Sequence, residues 1–90
     1  MQGPRNLIGP QLRRIRNERE LSQPALAAKL QRAGWDISRD TLAKIEGQVR
    51  WVADFELVFL AQVLRVEMKD LLPRSSNTSR ELILRLNRSH

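Results

Sequence analysis

Ninety residues leave room for one domain, and with no Cys and a single His at the last position, His90, neither a disulfide framework nor a thiolate metal site can support it, so stability must come from apolar packing. No apolar run approaches the roughly 18 residues that cross a bilayer and the start, MQGPRNLIGP, has no hydrophobic signal core; this points to a cytoplasmic chain with no membrane partner. The net charge of +6 divides as +5 over residues 1–50 (ten Lys/Arg against five Asp/Glu), −2 over 51–72 (two against four) and +3 over 73–90 (four against one), which suits a polyanion-facing half joined to a structural half.

Gly9-Pro10 reads as a helix start with proline in its first turn, and helical spacing continues through Leu12, Ile15 and Arg19, predicting a first helix over about residues 10–20. Ser22 is a good N-cap, Pro24 is tolerated in a first turn, and ALAAKLQR is strongly helix-forming, so a second helix runs from Gln23 to about Arg32. Gly34 fits the left-handed residue that ends a helix, with Trp35 and Ile37 as apolar plugs in the connection. Ser38 caps a third helix that ends at Gly47. After the loop GQVRWVA, Asp54 is a candidate N-cap for FELVFLAQVL, whose nearly all-apolar sequence predicts a central, buried fourth helix. Arg65 and Val66 break it, Glu67 is placed to cap MKDLL, and Pro73 stops this fifth helix. RSSNTS is a polar linker. In the tail RELILRLNR, Thr78 with Glu81 makes a capping-box pattern, while Leu82, Leu84 and Leu86 alternate as in a strand.

In combination, LSQPALAAKL, ISRDTLAKIEG and LAQVLRVEMKDLL resemble the lambda-repressor-like helix-turn-helix family, the phage Cro and repressor group often called XRE. The resemblance covers about residues 8–72. It rests on Leu21-Ser22-Gln23 opening the second helix, Ala28 in its middle, Ser38 opening the third, and Ile45-Glu46-Gly47 closing it. It implies an all-α, compact five-helix DNA-binding domain over 8–72, followed by a linker and tail over 73–90. Its third helix would lie in the major groove, with the start of the second helix and the loop after the third on phosphates. The sequence departs from the family in three places. QRAGWD, Gln31 to Asp36, widens the usual tight turn by about five residues, with Trp35 as the hydrophobic plug that fixes it. Arg65 stands where the family commonly has Gly, at a cost of about 1 kcal/mol if it is left-handed. The tail exceeds what a DNA-binding core needs.

In the third helix Leu42 and Ile45 are three residues apart and face the core, which turns Arg39, Asp40, Ala43 and Lys44 outward. By resemblance Arg39, Asp40 and Lys44 stand where the family reads base edges. Arg39 suits guanine O6 and N7, Asp40 cytosine N4, and Lys44 a guanine or a phosphate. Asp40 serves equally as compensation for the helix dipole. Gln23 matches the family's phosphate-contacting glutamine, at a helix end whose N–H groups add to the attraction. Arg50, Thr41 and Arg16 complete the expected phosphate set, and Trp51 beside Arg50 is expected in the core. The family often bridges an Arg of the first helix to a Glu closing the third, which implies a partly buried ion pair between Arg16 and Glu46; exposed charges would contribute under about 1 kcal/mol.

No nucleophile, base and orienter combination, Gly-rich phosphate loop or metal spacing is present, so neither catalysis nor a cofactor is expected. Of 16 basic residues 13 are Arg, whose planar fork suits phosphates and guanine edges. The expected function is a sequence-specific double-stranded DNA-binding transcriptional regulator, a repressor acting as a homodimer on a two-fold operator. The tail would serve dimerisation or a protein partner. The alternative is an antitoxin-like or other protein-binding module on the same helical scaffold. RNA binding lacks the aromatic platforms that single strands need.

Overall fold

The structure, a computed structural model, describes residues 3–73, which form five helices and no strand. These are α1 (Gly9–Glu18), α2 (Gln23–Arg32), α3 (Arg39–Glu46), α4 (Asp54–Leu64) and α5 (Met68–Leu71). The tail, readable from sequence as helix or strand, lies outside the described residues. None of the described helices is long and apolar enough to cross a membrane.

One core joins all five. Leu12 and Ile15 of α1, Leu26 and Leu30 of α2, Leu42 and Ile45 of α3, Leu60 and Leu64 of α4 and Leu71 of α5 are all buried, with Ile8 and Ile37 filling the gaps between helices. Each such Leu or Ile contributes about 1.5 to 3 kcal/mol relative to exposure. The start of α1 meets the end of α3 closely enough to demand glycine. A Cβ on Gly9 would stand 2.6 Å from the carbonyl oxygens of both Ile45 and Glu46.

Local chemistry sets the helix ends. Ser22 Oγ accepts from the Ala25 N–H at 3.1 Å and Ser38 Oγ from the Thr41 N–H at 3.0 Å, each holding an otherwise unpaired donor of a first turn. α1 stops two residues before the expected Glu20, because Glu20 itself takes a left-handed conformation with φ 56°. Asp54 is not the cap of α4. Ala53 occupies that position, and the Glu56 carboxylate closes the turn by accepting from the Ala53 N–H at 3.0 Å. Likewise Glu67 stands at the cap position of α5 without using its own side chain, and Asp70 accepts from the Glu67 N–H at 3.0 Å. Arg65 ends α4 in the left-handed conformation, φ 56° and ψ 48°.

α4 departs further from expectation. Only Leu60, Ala61 and Leu64 are buried, whereas Phe55 is 72% exposed and Val58 lies open beside it. An all-apolar helix cannot announce which face it buries, since its sequence carries no contrast between faces. Trp51, expected in the core, is 69% exposed.

Candidate nucleic-acid interface

α3 presents its charges on a fixed base. Leu42 and Ile45 are fully buried, the Ser38 hydroxyl donates to Thr41 Oγ1 at 3.0 Å while capping the helix, and the outward side carries Arg39, Asp40 and Lys44. The Arg39 and Asp40 side chains are 61% and 82% exposed, with Arg39 Nη1 only 3.4 Å from Asp40 Oδ1, a contact too open to immobilise either. Thr41 Oγ1 accepts from the Ser38 hydroxyl and the Thr41 backbone N–H donates to Ser38 Oγ, which leaves the Thr41 hydroxyl its own proton to donate.

The turn that leads into α3 is wide and anchored. Gly34 has φ +114°, a conformation that L side chains rarely adopt, and nothing lies within 4 Å of its missing Cβ. Ile37 is buried, Gln31 Nε2 donates to the Ile37 carbonyl at 2.7 Å, and Trp35 packs edge-on against Phe59 of α4 with ring centroids 6.0 Å apart. Three side chains thus tie the turn to the body, and Trp35 acts as a plug.

Behind α3 lies a buried polar knot. Arg16 of α1 donates from Nε to Glu46 Oε2 at 2.7 Å, from Nη2 to Glu46 Oε1 at 3.0 Å, and from Nη1 to the Leu21 carbonyl at 2.7 Å. Both side chains are under a tenth exposed. The hydrogen bonds to Glu46 raise the Arg16 pKa above the ordinary guanidinium value, against the opposing effect of burial. Gln23 Nε2 adds a further bond to Glu46 Oε1 at 3.1 Å. The end of α3, the last turn of α1 and the first turn of α2 therefore meet on one carboxylate. Arg16 and Gln23 are both bound inward here, which makes them positioning groups before they are surface groups.

Arg50 is also engaged. Its Nη1 and Nη2 donate to the two carboxylate oxygens of Glu56 at 3.0 and 3.1 Å, and Nη1 donates to the Trp51 carbonyl at 3.0 Å. The Arg50 bonds hold the Glu56 carboxyl below its ordinary 4.5, helped by the Ala53 N–H and opposed by burial. Sequence reasoning placed Arg50 on phosphates alone and missed this partner. A Glu in the first turn of the following helix, six residues on, was the available signal.

Asn6 was missed entirely. Its Nδ2 donates to the carbonyls of Ile45 at 3.0 Å and Arg50 at 2.8 Å, and its Oδ1 accepts from the N–H groups of Ile8 at 3.1 Å and Gly9 at 2.8 Å. Gln48 Nε2 donates back to the Asn6 carbonyl at 2.9 Å, and the Arg5 N–H to the Gln48 carbonyl at 2.9 Å. One side chain thus caps the start of α1 and laces it to the loop that follows α3. A polar residue shortly before a Gly-Pro helix start is a cap signal, but its long-range half has no local trace.

Among the described residues no group of three or more His, Cys, Asp or Glu could hold a metal ion. The arrangement offers outward hydrogen-bonding charges on a short, rigid helix, which is the equipment of recognition. No protein-family model matches the chain, and no curated protein matches it significantly. Among solved structures the chain is similar to the crystal structure of the DNA-binding domain of BldD, with a TM-score of 0.67 and 27% sequence identity, over 81% of this chain and 100% of that one.

Proposed function

We propose that this chain is a sequence-specific double-stranded DNA-binding regulator of the lambda-repressor-like type, reading base edges with α3. One observation carries the reading: α3 buries Leu42 and Ile45 completely while Arg39, Asp40 and Lys44 stand outward on a capped helix. The likeness to a solved DNA-binding domain supports it. In this reading Arg39 and Lys44 select bases, with Asp40 accepting from cytosine. Thr41 and the N–H groups opening α2 near Gln23 meet phosphates. Arg16 holds α3 in place through Glu46. Arg50 braces the loop through Glu56 and adds positive field at the duplex. Two copies occupy a two-fold site, each placing one α3 in successive major grooves, and the bound dimer represses by occlusion.

Selection of bound sites from random duplexes, followed by affinities for the selected site and its single-base variants at several salt concentrations, tests it. Arg39→Ala is expected to lower affinity for the preferred site by about 1 to 3 kcal/mol and relax the choice at one base pair. Loss of a phosphate contact instead weakens all duplexes alike and flattens the slope of log K against log salt by about one unit. If Arg39→Ala lowers every affinity equally with no change of preference, α3 is not the reader.

A further inference from the structure

The loop between α3 and α4 turns the usual order of burial inside out. From residue 48 to 52 its side chains alternate: Gln48, Arg50 and Val52 are half-buried, while Val49 and Trp51 stand 58% and 69% exposed. The polar members are spent on the body of the protein, Gln48 Nε2 on the Asn6 carbonyl at 2.9 Å and the Arg50 guanidinium on Glu56. Their apolar neighbours are the ones shown to solvent. Nor is the loop slack. The Gln48 N–H donates to the Ile45 carbonyl at 3.0 Å and the Val49 N–H to the Lys44 carbonyl at 2.9 Å, the Asn6 amide holds the Arg50 carbonyl, and Arg50 Nη1 holds that of Trp51. Each residue from Gln48 to Trp51 is thus tied by its backbone, so the indole is held in solvent. Single exposed apolar residues are ordinary, but two on a braced loop that leaves the end of α3 form a presented surface.

We propose, on the DNA-binding reading above, that Trp51 with Val49 makes an apolar contact to the sugar-phosphate strand beside the groove that α3 enters. The Val49 N–H meets the Lys44 carbonyl in the last turn of α3, so a duplex that reaches Lys44 has this loop next to its strand. A deoxyribose presents a C–H face, and the adjoining phosphate presents anionic oxygens. An indole has a flat apolar body for the one and an Nε1–H donor for the other. Charge around the pair agrees. Arg5, whose N–H donates to the Gln48 carbonyl, Lys44 and Arg50 stand on its borders, whereas the Glu56 carboxylate is taken up by Arg50 and the Ala53 N–H, leaving Asp54 as the exposed carboxylate next along the chain. A second copy apposed on the same surface would set these cations against one another, and a strand of phosphates complements them.

Trp35 and Trp51 are the chain's two tryptophans and there is no Tyr, so the difference between wild type and Trp51→Phe isolates the Trp51 signal. The test uses the full-length chain and a duplex selected from random sequences, with binding followed separately by the anisotropy of the labelled duplex. On saturation the wild-type chain is expected to change its emission and become less accessible to acrylamide, and Trp51→Phe, left with Trp35, to do neither. Trp51→Ser, with a thermal melt matching wild type, should weaken the selected site and its single-base variants alike, by about five- to tenfold. The slope of log K against log salt should stay as it is, because no charge is removed. Binding seen by anisotropy with no change at Trp51 and no loss in Trp51→Ser would overturn the proposal and leave the DNA-binding reading standing. If no duplex changes its anisotropy, both fall together. If Trp51 instead loses accessibility as protein concentration rises without DNA, and sedimentation shows a dimer that Trp51→Ser abolishes, a second copy covers the loop, which also overturns the proposal.

Discussion

Arg16–Glu46 and Arg50–Glu56 are built alike, each a guanidinium set against both oxygens of one carboxylate, but the first spans 30 residues and is buried while the second spans six and keeps Arg50 one-third exposed. The difference teaches what such a pair is for. A buried pair cannot exchange its partner for water, so each member is needed by the other, and the elements that carry them are held in one arrangement. A half-exposed pair can give up its partner to solvent or to a phosphate at modest cost. Glu46 therefore fixes where α3 stands, and Glu56 fixes where Arg50 waits.

Removing one buried partner is the sharpest way to break the comparison. Arg16→Ala or Glu46→Ala is expected to destabilise the chain by about 3 to 5 kcal/mol, since each strands a charge, and the double variant should lose less than the sum of the two. Urea melts of the two single variants and the double variant measure it; small, additive losses would mean the two charges do not interact.

Next in size stands Gly9→Ala. Its new Cβ would press on the carbonyl oxygens of Ile45 and Glu46, backbone atoms that cannot swing aside, so α1 and the end of α3 must separate. A loss of about 1 to 3 kcal/mol is expected, as for other overpacked contacts. If thermal melts show no loss, α1 is docked less closely on the Glu46 end than the buried pair requires.

The partly buried Arg50–Glu56 pair should answer with smaller numbers and with pH. Arg50→Ala is expected to cost up to about 1 kcal/mol of stability. Because the folded pKa of Glu56 is depressed, its contribution is fully present above the ordinary 4.5 and is lost as pH falls through the lower folded value. The stability gap between wild type and Glu56→Gln should therefore narrow as pH falls below the ordinary 4.5 toward the depressed folded value. The Arg16 shift has the opposite sign: its contribution is present below the ordinary guanidinium range and would be lost only at still higher pH, so no ordinary buffer reveals it. A gap that stays constant into acid would show that Arg50 does not hold Glu56 in solution.

Arg65→Gly supplies the smallest effect and a baseline outside both pairs. The left-handed φ of 56° favours glycine, so a gain of up to about 1 kcal/mol is expected by chemical denaturation. No gain would place the strain elsewhere.

What could be seen beforehand follows the range of the interaction. Ser22 and Ser38 were legible because a cap needs only its own next three residues. The outward set of α3 was legible because Leu42 and Ile45 fix the phase of an eight-residue helix. The partnership of Arg16 with Glu46 came through family resemblance, since nothing local links residues 30 apart. Trp51 and Phe55 were misjudged because hydrophobicity says that a residue would be buried and not by what. Gly9 and Asn6 were invisible as tertiary contacts, their meaning residing in carbonyls of a segment some 40 positions away.

Asn6 also bears on the order of events in time. Its bonds to Ile45 and Arg50 close loops of 39 and 44 residues, so they return nothing until the intervening helices have already come together. The clasp should form late in folding and open early, by local excursions that leave the core intact. In native-state hydrogen exchange, the N–H groups of Ile8 and Gly9, which Asn6 accepts directly, would exchange together and well ahead of Leu12. Replacing Asn6 would then speed that exchange at the start of α1 while the slowest amides of α2 kept their pace.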